Sequence, residues 1–309
     1  MSSVPIIRYD TNGCFLGGVN PSNPGTAVSR KSGMSSDTPA GFRDRFNTLS
    51  GGYARFRPQY PDEMVASLAA HITDVPVSDD APVLDVGCGT GIFTRQLAKA
   101  LPPSMRILGI EPAENMRDAA IGQTNGFNIA FLDGSAESLP VGNGAARAII
   151  AATAAHWFER PIFYAEATRA LAQGGILAII EYVRDTENSP AAAAIEGFLA
   201  REGGPKAYER PDYVAELEAL PGLEVVEVLK RTVTLPLDVD GFVGLALSSS
   251  HAKAVVSRLG ETDTKSALVR VGAGLAGADG RIPYGYRFQM FVARKRQATP
   301  RGAGGLGTA

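Results

Sequence analysis

From Val83 onward, short apolar runs alternate with longer stretches in which apolar residues recur every three or four positions. The runs begin at Val83 and continue at 106–110, 128–132, 147–151 and 175–182. Each is short for a helix and most are rich in Val, Ile and Leu, the pattern of strands covered on both faces. Between them, Phe93, Leu97 and Leu101 share one helical face, and residues 161–172 read as a helix closed by Gly174-Gly175. Strand and helix in alternation predict an α/β fold with a doubly wound, mostly parallel sheet. Ahead of the first strand, 42–48 and 61–71 read as helices; beyond the fifth, a strand begins near Leu223 and 284–295 is a last β-run rich in aromatics. Two segments exceed this minimum. Within 184–221, Ser189-Pro190 supplies an N-cap and first-turn proline for a helix reaching about Arg201, and Pro211 starts another that stops at Pro221-Gly222. Residues 238–280 hold two or three helices, with Leu245, Leu247 and Val256 turned toward the core or a bound substrate.

The first strand carries the chemistry. It reads Val-Leu-Asp-Val-Gly-Cys-Gly-Thr-Gly from Val83 to Gly91 and runs straight into a helix. Glycine is needed where the backbone turns sharply and where a ligand lies against it with no side chain between. The helix start that follows offers unpaired N–H groups. The dinucleotide fingerprint uses the same physics, but its third glycine falls one position later. Here Gly87, Gly89 and Gly91 follow Asp85 as G-x-G-x-G. That run resembles motif I of the class I, Rossmann-like S-adenosylmethionine (SAM) methyltransferases. The resemblance implies a seven-stranded sheet with an antiparallel last strand, a helical cap from 238–280 over the pocket, and SAM as cofactor.

Two later segments carry the same resemblance. The second strand ends at Glu111, twenty residues after Gly91, where an acidic side chain in nucleotide-binding α/β folds accepts bonds from ribose hydroxyls. Pro112 follows, and the family pattern lays a hydrophobic side chain, here Met116, over the adenine. Asp133-Gly-Ser135-Ala136-Glu137 matches the loop after strand three, although the nearest family pattern has Asp at the place of Ser135. The adenine amino group therefore falls to Ser135, Asp133 or a main-chain carbonyl. Cys88 takes a small-residue position in the turn and reads as packing against the cofactor.

Composition narrows the class without changing it. The 309 residues allow one elaborated domain, residues 39–296, with a 45% hydrophobic content and a formal net charge of −2. That balance leaves no electrostatic footprint for nucleic acid or an anionic membrane, and no apolar run approaches the ~18 residues of a membrane span. The start, with Arg8 and Asp10, does not read as a secretory signal, and two cysteines, Cys14 and Cys88, form no disulfide framework. A cytoplasmic monomer or homodimer is the expectation. Residues 1–38 and 297–309 are rich in Gly, Ser, Asn or Pro without periodicity and read as flexible extensions, Met34 standing just before the first family-like segment.

Tyr53-Ala-Arg-Phe-Arg57-Pro-Gln-Tyr60-Pro61 resembles a pattern that precedes motif I in a small-molecule group containing trans-aconitate methyltransferases, related to the ubiquinone and menaquinone methyltransferase domain. The resemblance sends Tyr53 and Arg57 to the methionine half of SAM or to the substrate, and Tyr60 toward the substrate. A guanidinium matches a carboxylate through paired hydrogen bonds. Ala154-Ala-His156-Trp157-Phe158 resembles the same group's His-Trp-Phe motif and, with Thr153, follows the strand that faces the transferable methyl. His251, in the cap, is a further pocket candidate, and His71 receives no role.

The chain lacks the Asn/Asp-Pro-Pro-Tyr/Phe strip of base-amine methylators, the carboxylate cluster of magnesium-dependent catechol enzymes and the paired-glutamate loop of arginine methylators. What remains is metal-independent transfer to a small-molecule acceptor, with oxygen favoured by the group resembled. A carboxylate acceptor is already ionised and leaves His156 and Trp157 to position it. A phenol, amine or carbon acceptor needs a base, and His156 can serve. Carbon or nitrogen methylation of a secondary metabolite and a catalytically silent SAM-binding regulator are the alternatives. A nicotinamide oxidoreductase conflicts with the glycine spacing.

Overall fold

The computed structural model describes residues 58–204, 210–249 and 251–297, all within the unit Thr38–Ala309. The expected helix at 42–48, Tyr53, Arg57 and the two terminal extensions, apart from Gln297, lie outside these residues. In chain order the elements are α1 (Asp62–Thr73), β1 (Val83–Val86), α2 (Ile92–Ala100), β2 (Ile107–Ile110), α3 (Glu114–Gly122), β3 (Ile129–Leu132) and β4 (Ala146–Ala152). A single 3-10 turn (Ala155–Trp157) leads to α4 (Arg160–Ala170) and β5 (Leu171–Arg184). Then come α5 (Pro190–Gly203), α6 (Tyr213–Glu218), β6 (Leu223–Leu237), α7 (Val239–Leu247), α8 (Ala252–Leu259), α9 (Glu261–Ala273) and β7 (Ile282–Lys295).

The seven strands form one sheet in the order β3-β2-β1-β4-β5-β7-β6. β1 to β5 pair in parallel, with Val83 opposite both Ile107 and Ala148, and β7 runs antiparallel between β5 and β6. The expected doubly wound sheet with an antiparallel last strand is therefore present. Because β1 has β2 on one side and β4 on the other, the order of winding reverses between β1 and β4. Loops leaving a sheet at such a reversal part and open a crevice at the carboxyl ends of the strands.

Side chains sort by parity on the strands. Ile176, Ala178 and Ile180 of β5 join one layer with Met64 and Leu68 of α1, Leu97 of α2 and Phe242 of α7. Leu177 and Ile179 join the other with Phe163 of α4 and Leu217 of α6. A fully buried aliphatic or aromatic side chain contributes about 1.5–3 kcal/mol, so the apolar runs are what hold the strands inside.

The helix ends follow local chemistry. Ser189 Oγ accepts the Ala192 N–H at 3.2 Å, the expected cap of α5. Asp212 accepts the Ala215 N–H at 3.1 Å, so α6 begins after that cap and not at Pro211. α4 stops at Ala170, short of the expected Ala172, because Leu171 already pairs with Ala146 across a bulge in β4. β5 consequently starts before Gly174-Gly175. In the 238–280 segment Leu245 is buried, Leu247 is half-buried, and Val255 is the core residue in place of Val256. α7 to α9 pack among themselves and, through α8, on α5, which lies against β7. Among the described residues, no helix is long and apolar enough to cross a membrane.

Arg147, at the start of β4, is buried and donates to the carbonyls of Ile72, Val75, Val77 and Ser78 at 3.4, 2.8, 3.1 and 3.2 Å. It ties the chain leaving α1 to the sheet. Arg147→Met keeps length but removes the guanidinium bonds, leaving the Ile72, Val75 and Ser78 carbonyls with their backbone donors alone and the Val77 carbonyl without this donor, and it should lower stability to urea by about 1–3 kcal/mol. A loss below about 0.5 kcal/mol would show that solvent or a shifted loop satisfies them equally well.

Candidate active site

The turn after β1 is built by its neighbour strand. Gly87 and Cys88 donate their N–H groups to the Ile110 carbonyl at 2.8 and 3.1 Å, and Gly91 donates to Cys88 O at 2.9 Å. Gly87 and Gly89 sit at φ +68° and +55°, a region that costs an L side chain about 1–2 kcal/mol. The two differ in what surrounds them. A Cβ on Gly87 would lie 2.7 Å from Ala154 Cβ, so the turn after β1 abuts the loop after β4. A Cβ on Gly89 would meet nothing within 4 Å: the backbone there borders open space.

That space is a cleft lined by Pro58, Tyr60, Asp85, Gly87, Cys88, Gly89, Thr90, Ile92, Phe93, Ala152, Thr153 and Tyr182. Asp85 is fully buried and accepts the Thr94 hydroxyl at 2.6 Å on one oxygen. Its other oxygen and the Thr90 hydroxyl have no hydrogen-bond partner among the described residues. Burial pushes the Asp85 carboxyl up to about 7; the Thr94 bond opposes this and the nearby Glu111 charge adds to it. Burial, and then the charges of Asp85 and Glu111, also raise the Cys88 thiol, which keeps it protonated and unsuited to attack.

Glu111 closes β2 and braces the turn. One oxygen accepts the Gly89 N–H and the other the Ala113 N–H, both at 2.9 Å. Burial raises its pKa against those two bonds and the Arg117 charge. A carboxylate has about four acceptor positions, so two remain for ribose hydroxyls. Arg117 donates to Glu111 O at 2.7 Å and reaches Asp133 at 3.2 Å, which engages Asp133 with its neighbour.

On the β4 side, Thr153 holds φ 54°, the one non-glycine at positive φ among the described residues. A β-branched residue there is strained. Its N–H donates to Ile180 O at 2.6 Å and its hydroxyl lies 2.8 Å from that of Tyr60. The 3-10 turn then carries His156 and Trp157, their rings 4.9 Å apart. His156 Nδ1 stands 3.4 Å from Glu181 Oε1, which accepts the Tyr213 hydroxyl at 2.7 Å; Arg210 Nε stands 3.4 Å from Glu181 Oε2. Burial would raise the Glu181 carboxyl, but bonding from His156, the Arg210 charge and the Tyr213 hydroxyl outweigh it and hold it below the usual range.

The expected residues thus fall into two sets. Tyr60, Asp85, Gly87, Cys88, Gly89 and Thr153 line one cleft, and Glu111 is bonded to its floor. Pro112 lies half-buried beside Glu111, and Met116 is buried in α3. Ser135 bridges to Ser138, Ala136 is buried, and Glu137 accepts the Glu159 N–H at 3.1 Å ahead of α4. His251 stands apart from the cleft lining, with Nε2 2.8 Å from the Gly204 carbonyl at the end of α5, and no residue of the 238–280 helices lines the cleft among those described. Thr94, Tyr182, Glu181, Tyr213 and Arg210 escaped the sequence reading. Glu181 had a signal, as an acid directly after the buried aliphatic run Ile176–Ile180.

Comparison with known proteins agrees with this geometry. The methyltransferase domain family matches residues 83–175, from β1 into β5. A methyltransferase-family protein of Dictyostelium discoideum is 29% identical over 227 residues, 71% of this chain and 81% of that one. An uncharacterized methyltransferase of Mycobacterium tuberculosis is 31% identical over 163 residues, 52% of this chain and 60% of its own length. A solved structure titled as a type II methyltransferase from Anaeromyxobacter dehalogenans shares the fold, with TM-score 0.57 and 23% identity across 78% of this chain and 98% of its own. A doubly wound sheet with a Gly-rich cleft at its switch point defines a nucleotide-type binding fold. Residues 83–175 carry the methyltransferase domain, and the chain is similar to S-adenosylmethionine-dependent methyltransferases of the class I, Rossmann-like kind.

The residues fit that cofactor: open space over Gly89, an orphaned buried oxygen on Asp85, and spare acceptor positions on Glu111. Gly89→Ala should stay folded at a cost of about 1–2 kcal/mol from its positive φ and weaken S-adenosylhomocysteine binding at least ten-fold, since the new methyl enters the cleft and not the protein. Glu111→Ala should cost about 1.5–3 kcal/mol of binding, ten-fold or more. Calorimetry giving unchanged affinity in both folded variants would move the cofactor elsewhere. Asp85 adds a pH dependence. Its folded value is raised above the unfolded one, so the stability it contributes is present below about pH 4 and lost as pH rises to about 7. A cationic sulfonium ligand favours the ionised form, so binding should tighten between about pH 6 and 8 and release a proton. Asp85→Asn should abolish that release when binding heats are compared in buffers of different ionisation enthalpy; an unaltered proton count would exclude Asp85 as its source.

Proposed function

We propose that the chain transfers the SAM methyl group, without metal, to an oxygen of a small-molecule acceptor, either a carboxylate or a hydroxyl. The sulfonium supplies an activated methyl, so the protein's task is to align an incoming lone pair, which can equal an effective concentration of about 10^5 M or more. The observation that carries this reading is the loop after β4. It abuts the glycine turn through Ala154 and presents His156 and Trp157, with none of the carbonyl strip that grips an amine. Resemblance of Tyr60, His156, Trp157 and Phe158 to the trans-aconitate methyltransferase group supports oxygen as the accepting atom. Tyr60, Thr153 and Tyr182 border the cleft on this side and set an aromatic, partly hydroxylated wall. Methylation of carbon or nitrogen with His156 as base is the second reading, and the carboxylate beside the His156 ring favours it.

A screen with methyl-tritiated SAM against carboxylic acids, phenols, alcohols and amines decides between them. Transfer to acids or hydroxyl compounds is expected; label passing solely to amines or carbon would contradict the oxygen assignment. His156→Gln keeps hydrogen bonding but cannot take up a proton. It should lower kcat for a hydroxyl acceptor by about 10^2-fold at unchanged KM, and leave a carboxylate acceptor nearly unaffected.

A further inference from the structure

We propose that Glu181 is a positioning residue that fixes His156 as the tautomer carrying its proton on Nδ1, so that Nε2 is the ring's proton-accepting atom. Glu181 is 2% exposed and follows five aliphatic residues of β5, a place where a charge persists only with partners. Its partners arrive from three other places: His156 from the turn after β4, Tyr213 from the start of α6, and Arg210 from the segment before it. Behind them Glu216 of α6 accepts from Arg160 Nε at 2.9 Å and from the Tyr164 hydroxyl at 2.7 Å, so these two groups of α4 are already engaged. Against the cost of burial, the His156 ring, the Arg210 charge at 3.4 Å and the Tyr213 hydroxyl bond hold Glu181 ionised. An ionised carboxylate only accepts, and the ring atom facing it at 3.4 Å is Nδ1. The proton therefore sits on Nδ1, and a neutral ring carries its lone pair on Nε2. At 3.4 Å the two groups stand as an ion-pair contact and not as an aligned hydrogen bond, the loose geometry from which such catalytic pairs tighten when substrate binds.

The other two histidines make the opposite choice. His71 meets Glu227 through Nε2 at 3.0 Å, and His251 meets the Gly204 carbonyl through Nε2 at 2.8 Å. Among the three, His156 alone turns Nδ1 to its acceptor. The consequence rests on the function proposed above. For a hydroxyl acceptor, the O–H proton passes to His156 Nε2 while the oxygen lone pair forms the bond to the methyl carbon. The electrons of the broken C–S bond return to sulfur, leaving a neutral thioether and an imidazolium facing the Glu181 carboxylate.

Long-range proton–nitrogen spectra of the 15N-labelled full chain, at mildly alkaline pH with and without S-adenosylhomocysteine, read the tautomers directly, and His156→Gln assigns the ring. The expected wild-type result is a protonated Nδ1 and bare Nε2 on His156, with the reverse on His71 and His251. Glu181→Gln should convert His156 to a mixture or to the Nε2–H form while S-adenosylhomocysteine affinity stays within about two-fold. A wild-type His156 protonated on Nε2 overturns the proposal and needs no variant; so does an unaltered His156 pattern in folded Glu181→Gln. Failure of S-adenosylhomocysteine to bind would remove the cofactor reading instead, because the tautomer is also read in the free protein.

Discussion

The bond from the Gly89 amide to the Glu111 carboxylate, with the paired bonds from Gly87 and Cys88 to the Ile110 carbonyl, is the constraint on which the cleft depends. It fastens the turn after β1 to the end of β2, and the Glu111 N–H in turn donates to Leu132 O of β3 at 3.1 Å. Three strand ends are thereby locked into one edge. Left-handed glycines allow the chain to make the turn, but the neighbouring strand decides where it lies. Glu111 serves two roles at once, since the carboxylate that shapes the floor is also the group with acceptor capacity to spare for a ligand.

Buried acids mark the working end of the sheet. Asp85, Glu111 and Glu181 stand on or just after β1, β2 and β5, in strands whose other residues are largely aliphatic. Each costs desolvation that a hydrophobic residue would not, and each is treated differently. Asp85 has one donor and rises to about 7, Glu111 is held by backbone amides, and Glu181 is kept ionised by His156, Arg210 and Tyr213. A fold selected for stability alone has no use for three such groups on one edge. Along that edge, Asp85 and Glu111 stand at the glycine turn, and Glu181 stands beside His156.

Local signals explain what the sequence made legible. Hydrophobic runs located β1, β2, β4 and the middle of β5 because those strands are buried on both faces, and β3, half-buried at the sheet edge, kept enough apolar residues to be seen; the glycine spacing located the cleft because backbone geometry leaves few alternatives. Ser189 revealed the start of α5 since a cap acts over three residues. Tyr213 and Arg210 were hidden because they meet Glu181, as Glu181 meets His156, across separations that no local pattern encodes. The same reason hid the Tyr60–Thr153 contact, which joins residues 93 positions apart. His251 looked eligible because it follows three serines in an inserted segment, and its Nε2 meets the carbonyl at the end of α5. Glu137 read as a cofactor residue from its loop, and one of its oxygens accepts the amide that precedes α4.

The most direct measurement is the structure of the protein crystallised with S-adenosylhomocysteine. The account predicts the ribose hydroxyls on the Glu111 carboxylate, the backbone of Gly87 to Gly89 against the ligand, and the ligand sulfur on the side of the cleft bordered by Thr153 and Tyr182. Ribose held by another acidic residue, or a ligand seated away from the glycine turn, would contradict it.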